Sequence, residues 1–195
     1  PYSSPGRATA ILLSERKNVI FIQTSPNRIT MKKITLSLIL ALTSLAMIAQ
    51  TFEVPEEYKF EKAEDYTKFE PLVIQAINWI NDTPLREEEQ KRQETNAFLL
   101  QWMSGSPTIH LEIKQQIVTF IDSPDLLMIF MGGWTKYSLE SKDLHNKVGG
   151  SLAGIEAVMS FYTKNRQALK KDRNVEKYIR MKENGTLQQY VEKNA

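Results

Sequence analysis

Reactive side chains are sparse in this chain, and their spacing argues against most catalytic chemistry. Its 195 residues hold two histidines and no cysteine. That removes a cysteine nucleophile, a thiolate metal site and a disulfide scaffold at once. His110-Leu111-Glu112 puts an imidazole and a carboxylate on one face of a strand. On a helix, residues two apart diverge by about 200° and cannot share a metal ion. Asp143-Leu144-His145 has the same spacing. Zinc needs three or four converging ligands, so no metal site is expected. Ser104-Gly105-Ser106 reads as a helix stop followed by a cap, and no base is paired with either serine. Gly149-Gly150-Ser151 offers amides of the kind an anion uses at a helix N-terminus, but lacks the lysine and spacing of a phosphate loop. It reads as a turn and helix start. Glu61 and Asp65 stand one helical turn apart, like the two carboxylates of a glycosidase, and read instead as a solvated helix face. No catalytic residue and no cofactor are expected.

Two apolar groups deserve a second reading. Met128, Phe130, Met131 and Trp134 could line an apolar pocket or an interface, because methionine adapts to irregular shapes. The plain alternative is core. Gly150, Gly154 and Ala157 form a ridge of small residues at helical spacing, which lets a second helix approach closely. Trp79, Trp102 and Trp134 are core candidates, and any of them found exposed becomes a candidate interface anchor.

The elements that must position these residues read as helices. Thr83-Pro84, Ser106-Pro107 and Ser123-Pro124 each place a capping hydroxyl before a proline that needs no amide partner. Glu70-Pro71 opens a run with Val73, Ile74, Ile77 and Ile80 on one face. Residues 126–131 are continuously apolar, with Gly132-Gly133 inside the same helix marking a kink or a close crossing. Leu152, Ile155, Val158, Met159 and Tyr162 repeat at helical spacing, and Val175, Tyr178 and Ile179 continue the theme. Asn184-Gly185 is a helix stop, and Thr186 with Gln189 has the spacing of a capping box. Residues 108–114 alternate like a strand, yet Ile109, Ile113, Ile117, Phe120 and Ile121 share one helical face. The segment is read as helix because no partner strand is evident. The expectation is an all-α fold: one compact domain of six or seven short helices over residues 50–195.

Met31-Lys32-Lys33, an apolar run over 34–48 and the small residue Ala49 make a secretory signal peptide, with cleavage expected after Ala49. The run is short for a membrane span, which takes roughly 20 apolar residues, so no stable span is expected after cleavage. Met31 is then the expected start, and residues 1–30 an upstream extension foreign to the native protein. The formal charge of +2 changes sign with the leader removed. Residues 50–195 keep 19 basic against 22 acidic side chains, about −3 in all. With no basic block evident, nucleic acid is not an expected partner.

A Met-Lys-Lys signal ending in Ala-Gln, ahead of an acidic, cysteine-free helical domain, resembles the small exported proteins of Bacteroidota-type bacteria. Phe98-Leu99-Leu100-Gln101-Trp102 and Phe130-Met131-Gly132-Gly133-Trp134 are more distantly similar to helical periplasmic immunity proteins that neutralise secreted toxins. Those proteins carry cysteines where this chain has Trp102, Met103 and Met131, and the chain is not assigned to them. The expected function is a non-enzymatic, exported, periplasmic or extracellular domain that binds another protein through a helix face. The alternatives are a periplasmic carrier of an apolar small molecule, and a hydrolase whose residues converge only in three dimensions.

Overall fold

The computed structural model describes residues 52–195, which lie within the compact unit Gln50–Ala195. The expected extension over 1–30 and signal peptide over 31–49 fall outside the described residues. Six helices follow one another: α1 (Ala63–Asp82), α2 (Glu89–Gly105), α3 (Pro124–Ser141), α4 (Lys147–Lys164), α5 (Arg173–Glu183) and α6 (Leu187–Asn194). The fold is all-α, and no strand occurs among the described residues. No helix among them is long and apolar enough to cross a membrane.

α1 starts earlier than its proline suggests. The Asp65 carboxylate accepts the amides of Glu61 and Lys62, which nucleates the first turn. Pro71, expected near a helix start, lies inside α1 on its exposed side. The opposite face buries Val73, Ala76, Ile77 and Ile80. Thr83-Pro84 ends this helix instead of starting the next. A proline disfavours helical geometry in the residue before it, and Thr83 is accordingly extended, with ψ at 129°. α2 begins five residues beyond Pro84, after Glu88 in a left-handed conformation.

Arg92 on α2 then closes the end of α1. Its guanidinium is buried and donates to the Ile80 carbonyl at 3.0 Å and to the Thr83 carbonyl. These are carbonyls that a helix end leaves without partners, at the negative pole of its dipole. The rings of Trp79 and Phe161 each lie 5.6 Å from the guanidinium carbon. Burial lowers the Arg92 pKa from its ordinary value, with Asp125 acting in the opposite sense.

The helix expected over 108–121 is absent. Ser106 Oγ does accept the amides of Ile109 and Thr108, at 3.3 and 3.4 Å, but no helix propagates from that cap. The run is rich in β-branched residues, which lose rotamer freedom in a helix. Its apolar side chains reach the core without helical turns: Ile109, Ile117, Val118 and Phe120 are buried, while Ile113 and Ile121 remain exposed. Ser123-Pro124 does begin α3, with proline at its first turn. Asp172 caps α5 through the amides of Asn174 and Val175, and Gly185 turns the chain at φ +70°. The expected capping box at Thr186 is not formed. Thr186 sits in helical geometry and its hydroxyl donates back to the Met181 carbonyl of α5.

Candidate functional site

The two apolar groups picked from the sequence are halves of one helix crossing. α3 and α4 make the most extensive helix contact among the described residues. Gly154 of α4 faces Phe130 of α3, and a Cβ there would lie 2.6 Å from the Phe130 ring. Gly150 receives the Trp134 indole in the same way, and Ala157 faces Gly133. Phe130 and Trp134 meet edge to face, their centroids 5.9 Å apart. Met128, Phe130 and Trp134 are buried, whereas Met131 is half-buried and reaches a surface hollow. Trp102 is buried too and donates to the Tyr66 carbonyl at 3.1 Å. Trp79 is half-buried, against Phe52 and Lys91.

The hollow beside Met131 holds about 340 Å³. Leu100, Met103 and Ser104 of α2 form one wall, and Ile109, His110 and Leu111 form the other. Leu100 is 47% exposed and nearby Ile113 41%, a high value for large apolar side chains. The chain along this hollow is held at its ends. Ser106 Oγ fixes the start, as above. At the far end Tyr178 donates to the Ile117 carbonyl at 2.8 Å, Tyr190 to the Gln116 carbonyl at 2.8 Å, and the Asn174 amide to the Thr119 carbonyl at 3.0 Å. Between the anchors, Glu112 pairs with Lys147 at the start of α4 and with Lys114 at 3.5 Å. A contact between side chains two apart is the geometry of extended chain. The Lys147 hydrogen bond, aided by Lys114, holds the Glu112 carboxyl below its usual range. The backbone amides and carbonyls of residues 110–113 have no hydrogen-bond partner among the described residues.

The reactive groups do not assemble into a recognisable catalytic set. His110 and Ser104 line the same hollow, a proximity invisible in the sequence, but no hydrogen bond joins them and no carboxylate lines it. His145 is exposed. No group of three or more His, Asp or Glu suited to a metal occurs among the described residues. Asp65 spends its carboxylate on the α1 start, and those two amides lower its pKa, with Lys62 and Lys68 aiding. A glycosidase acid needs the opposite shift. At the start of α4, the Asn146 side chain already occupies the Gly149 amide at 2.8 Å. Comparison with protein families, curated proteins and solved structures finds no match to this chain.

Proposed function

We propose that residues 50–195 form a non-enzymatic binding module of an exported bacterial protein, whose docking face is the 108–114 segment with its adjoining hollow. Export rests on the signal peptide over 31–49, and its test is N-terminal sequencing of secreted material; a mature protein beginning near Pro1 sinks that part. The observation that carries the binding reading is an extended segment whose backbone at 110–113 has no hydrogen-bond partner among the described residues, beside exposed Leu100 and Ile113. Unpaired amides and carbonyls on an edge pair readily with another extended chain, and an adjacent apolar pocket supplies side-chain selectivity. The expected partner is therefore a protein presenting an extended, partly apolar segment.

A photoreactive side chain at Ile113, compared with one at Gln167, tests this in the native host. Lys147 contacts Glu112 at one end of α4, and Gln167 lies past the other end of its 18 residues, about 27 Å away. Adducts of one discrete mass at position 113 and none at 167 are expected. Equal labelling at both positions refutes the assignment of the face.

A second reading, carriage of an apolar small molecule, is supported by a different feature. Met159 and Ile179 line an open groove of about 500 Å³ between α4 and α5, with the Glu156–Lys182 ion pair at 2.6 Å beside them. That volume lies within the range of small-molecule sites, roughly 300–1,000 Å³.

A further inference from the structure

The slightly negative total charge of residues 50–195 conceals a concentration of cations. Residues 164–182 hold eight Lys and Arg against two acidic side chains, while residues 52–94 hold six against twelve. Some of the cations are neutralised locally. Lys164 pairs with Asp82, Arg166 with Glu176 and Lys182 with Glu156. Lys170, Lys171, Arg173, Lys177 and Arg180 are exposed and have no acidic partner among the described residues.

Three of these five form a line. Arg173, Lys177 and Arg180 stand four and three residues apart on α5, which places them on one helix face over about 10 Å. Lys170 and Lys171 precede them in the approach to the helix. The other face of α5 is already used, burying Val175 and Tyr178 in the core. Ile179 and Met181 are half-buried at its flanks, and along the line of the stripe what α5 offers outward is charge.

We propose that α5 docks the protein electrostatically on an anionic phospholipid surface, with the stripe Arg173, Lys177, Arg180 in contact and Lys170 and Lys171 adding to it. Charge complementarity carries the choice of an anionic partner. A lipid surface requires only a dense field of anionic headgroups, and each Lys or Arg near such a surface strengthens binding about fivefold. A row of cations also holds a nucleic acid backbone; the lipid surface is preferred because the export reading, on which this choice rests, places the domain beside phospholipid headgroups.

Full-length protein is titrated with vesicles of phosphatidylcholine alone and with about 30 mol% phosphatidylglycerol, at low salt. Residues 1–49 hold six basic side chains against one acidic and carry the apolar run over 34–48, so they bind both vesicles and themselves favour the anionic one; the readout is the change in anionic preference between variants of the same full-length chain. Arg173→Gln/Lys177→Gln/Arg180→Gln is expected to reduce that preference on the order of 100-fold, fivefold for each charge. Lys59→Gln/Lys62→Gln/Lys68→Gln removes the same charge from elsewhere and is expected to leave it unchanged. Raising NaCl to about 300 mM shortens the screening length to roughly 6 Å, and is expected to shrink the difference between the unaltered chain and the stripe variant. Arg173→Gln and Arg180→Gln alone, each expected to cost about fivefold, keep the test if the triple variant misfolds. Equal loss in the two triple variants, no anionic preference in the unaltered chain, or a salt-insensitive difference overturns the proposal. So does stripe-dependent binding of a short DNA duplex without binding of anionic vesicles.

Discussion

Gly132 and Gly133 are adjacent in α3, and alanine should have opposite consequences at the two positions. A Cβ at Gly133 would lie 2.8 Å from the Ala153 carbonyl oxygen, 2.8 Å from Ala157 Cβ and 3.1 Å from Gly154 Cα. Comfortable carbon contacts are about 3.5–4.0 Å. Two of the three obstacles are backbone atoms, so relief requires α4 to move by most of an ångström. That movement also disturbs Gly154 against Phe130 and Gly150 against Trp134. Overpacking of this kind costs about 3 kcal/mol, the upper end of the usual range. Replacing a helical glycine by alanine returns about 1 kcal/mol. The expected net loss for Gly133→Ala is about 2 kcal/mol. At Gly132 the nearest atoms are side-chain carbons of Ile77, at 3.3 and 3.5 Å, which shift by a few tenths of an ångström. Gly132→Ala is expected to be neutral or to stabilise by up to about 1 kcal/mol. Urea unfolding followed by far-ultraviolet circular dichroism measures both, with a midpoint about 1 M lower for Gly133→Ala. Adding Ala157→Gly removes one of the three obstacles, and the double-mutant cycle should show favourable coupling. A Gly133→Ala protein as stable as Gly132→Ala would refute the close crossing as the reason for these glycines.

Arg92→Lys should lose about 2 kcal/mol in thermal or urea unfolding, because an ammonium cannot reproduce the fork that reaches the Ile80 and Thr83 carbonyls together. Stability equal to the parent rules out that capping role. Burial pushes the Tyr178 phenol up to about 12 from an ordinary value of 10.0. The folded state thus holds its proton more tightly than the unfolded state. This contribution is complete below about pH 10 and is lost as pH rises through 12, at most about 2–3 kcal/mol by linkage. Tyr178→Phe should flatten the alkaline limb of a stability–pH curve, and an unchanged slope between pH 10 and 12 counts against the cause.

Helix content was readable from the chain, but helix ends were not uniformly so. Thr83-Pro84, Ser106-Pro107 and Ser123-Pro124 look alike, yet they end α1, fix a loop and start α3 respectively. A proline biases the residue before it out of the helix whichever helix is in question, so the same dipeptide serves as stop or start. What decides is remote. Thr83 is held by Arg92, nine residues on, and the chain after Ser106 is tied down by Tyr178, 61 residues beyond Ile117, and by Tyr190, 74 beyond Gln116. At 108–121 the helical periodicity was real, but tertiary anchors buried Ile109, Ile117 and Phe120 without the helix and left Ile113 and Ile121 outside. The hollow gathers α2, the loop and α3, and no local spacing encodes that meeting.

A total charge is blind to placement for a related reason. Residues 52–94 sum to −6 and residues 164–182 to +6, so they cancel, and the total of about −3 comes from the rest of residues 50–195. The periodicity that exposes the stripe, Arg173, Lys177, Arg180, is complementary to the apolar periodicity Val175, Tyr178 that faces the core. One helix therefore has two assignments. Its inner face holds the loop after Gln116 through Tyr178 and Asn174, and so steadies the segment proposed to receive a partner chain. Its outer face carries the cations proposed to meet a lipid surface. Arg173 and Arg180 stand apart from the loop anchors, whereas Lys177 lies over the ring of the anchor Tyr190, 5.1 Å from its centroid, so the stripe and the loop meet at that one stack. The two proposed surfaces share a scaffold without sharing a side chain.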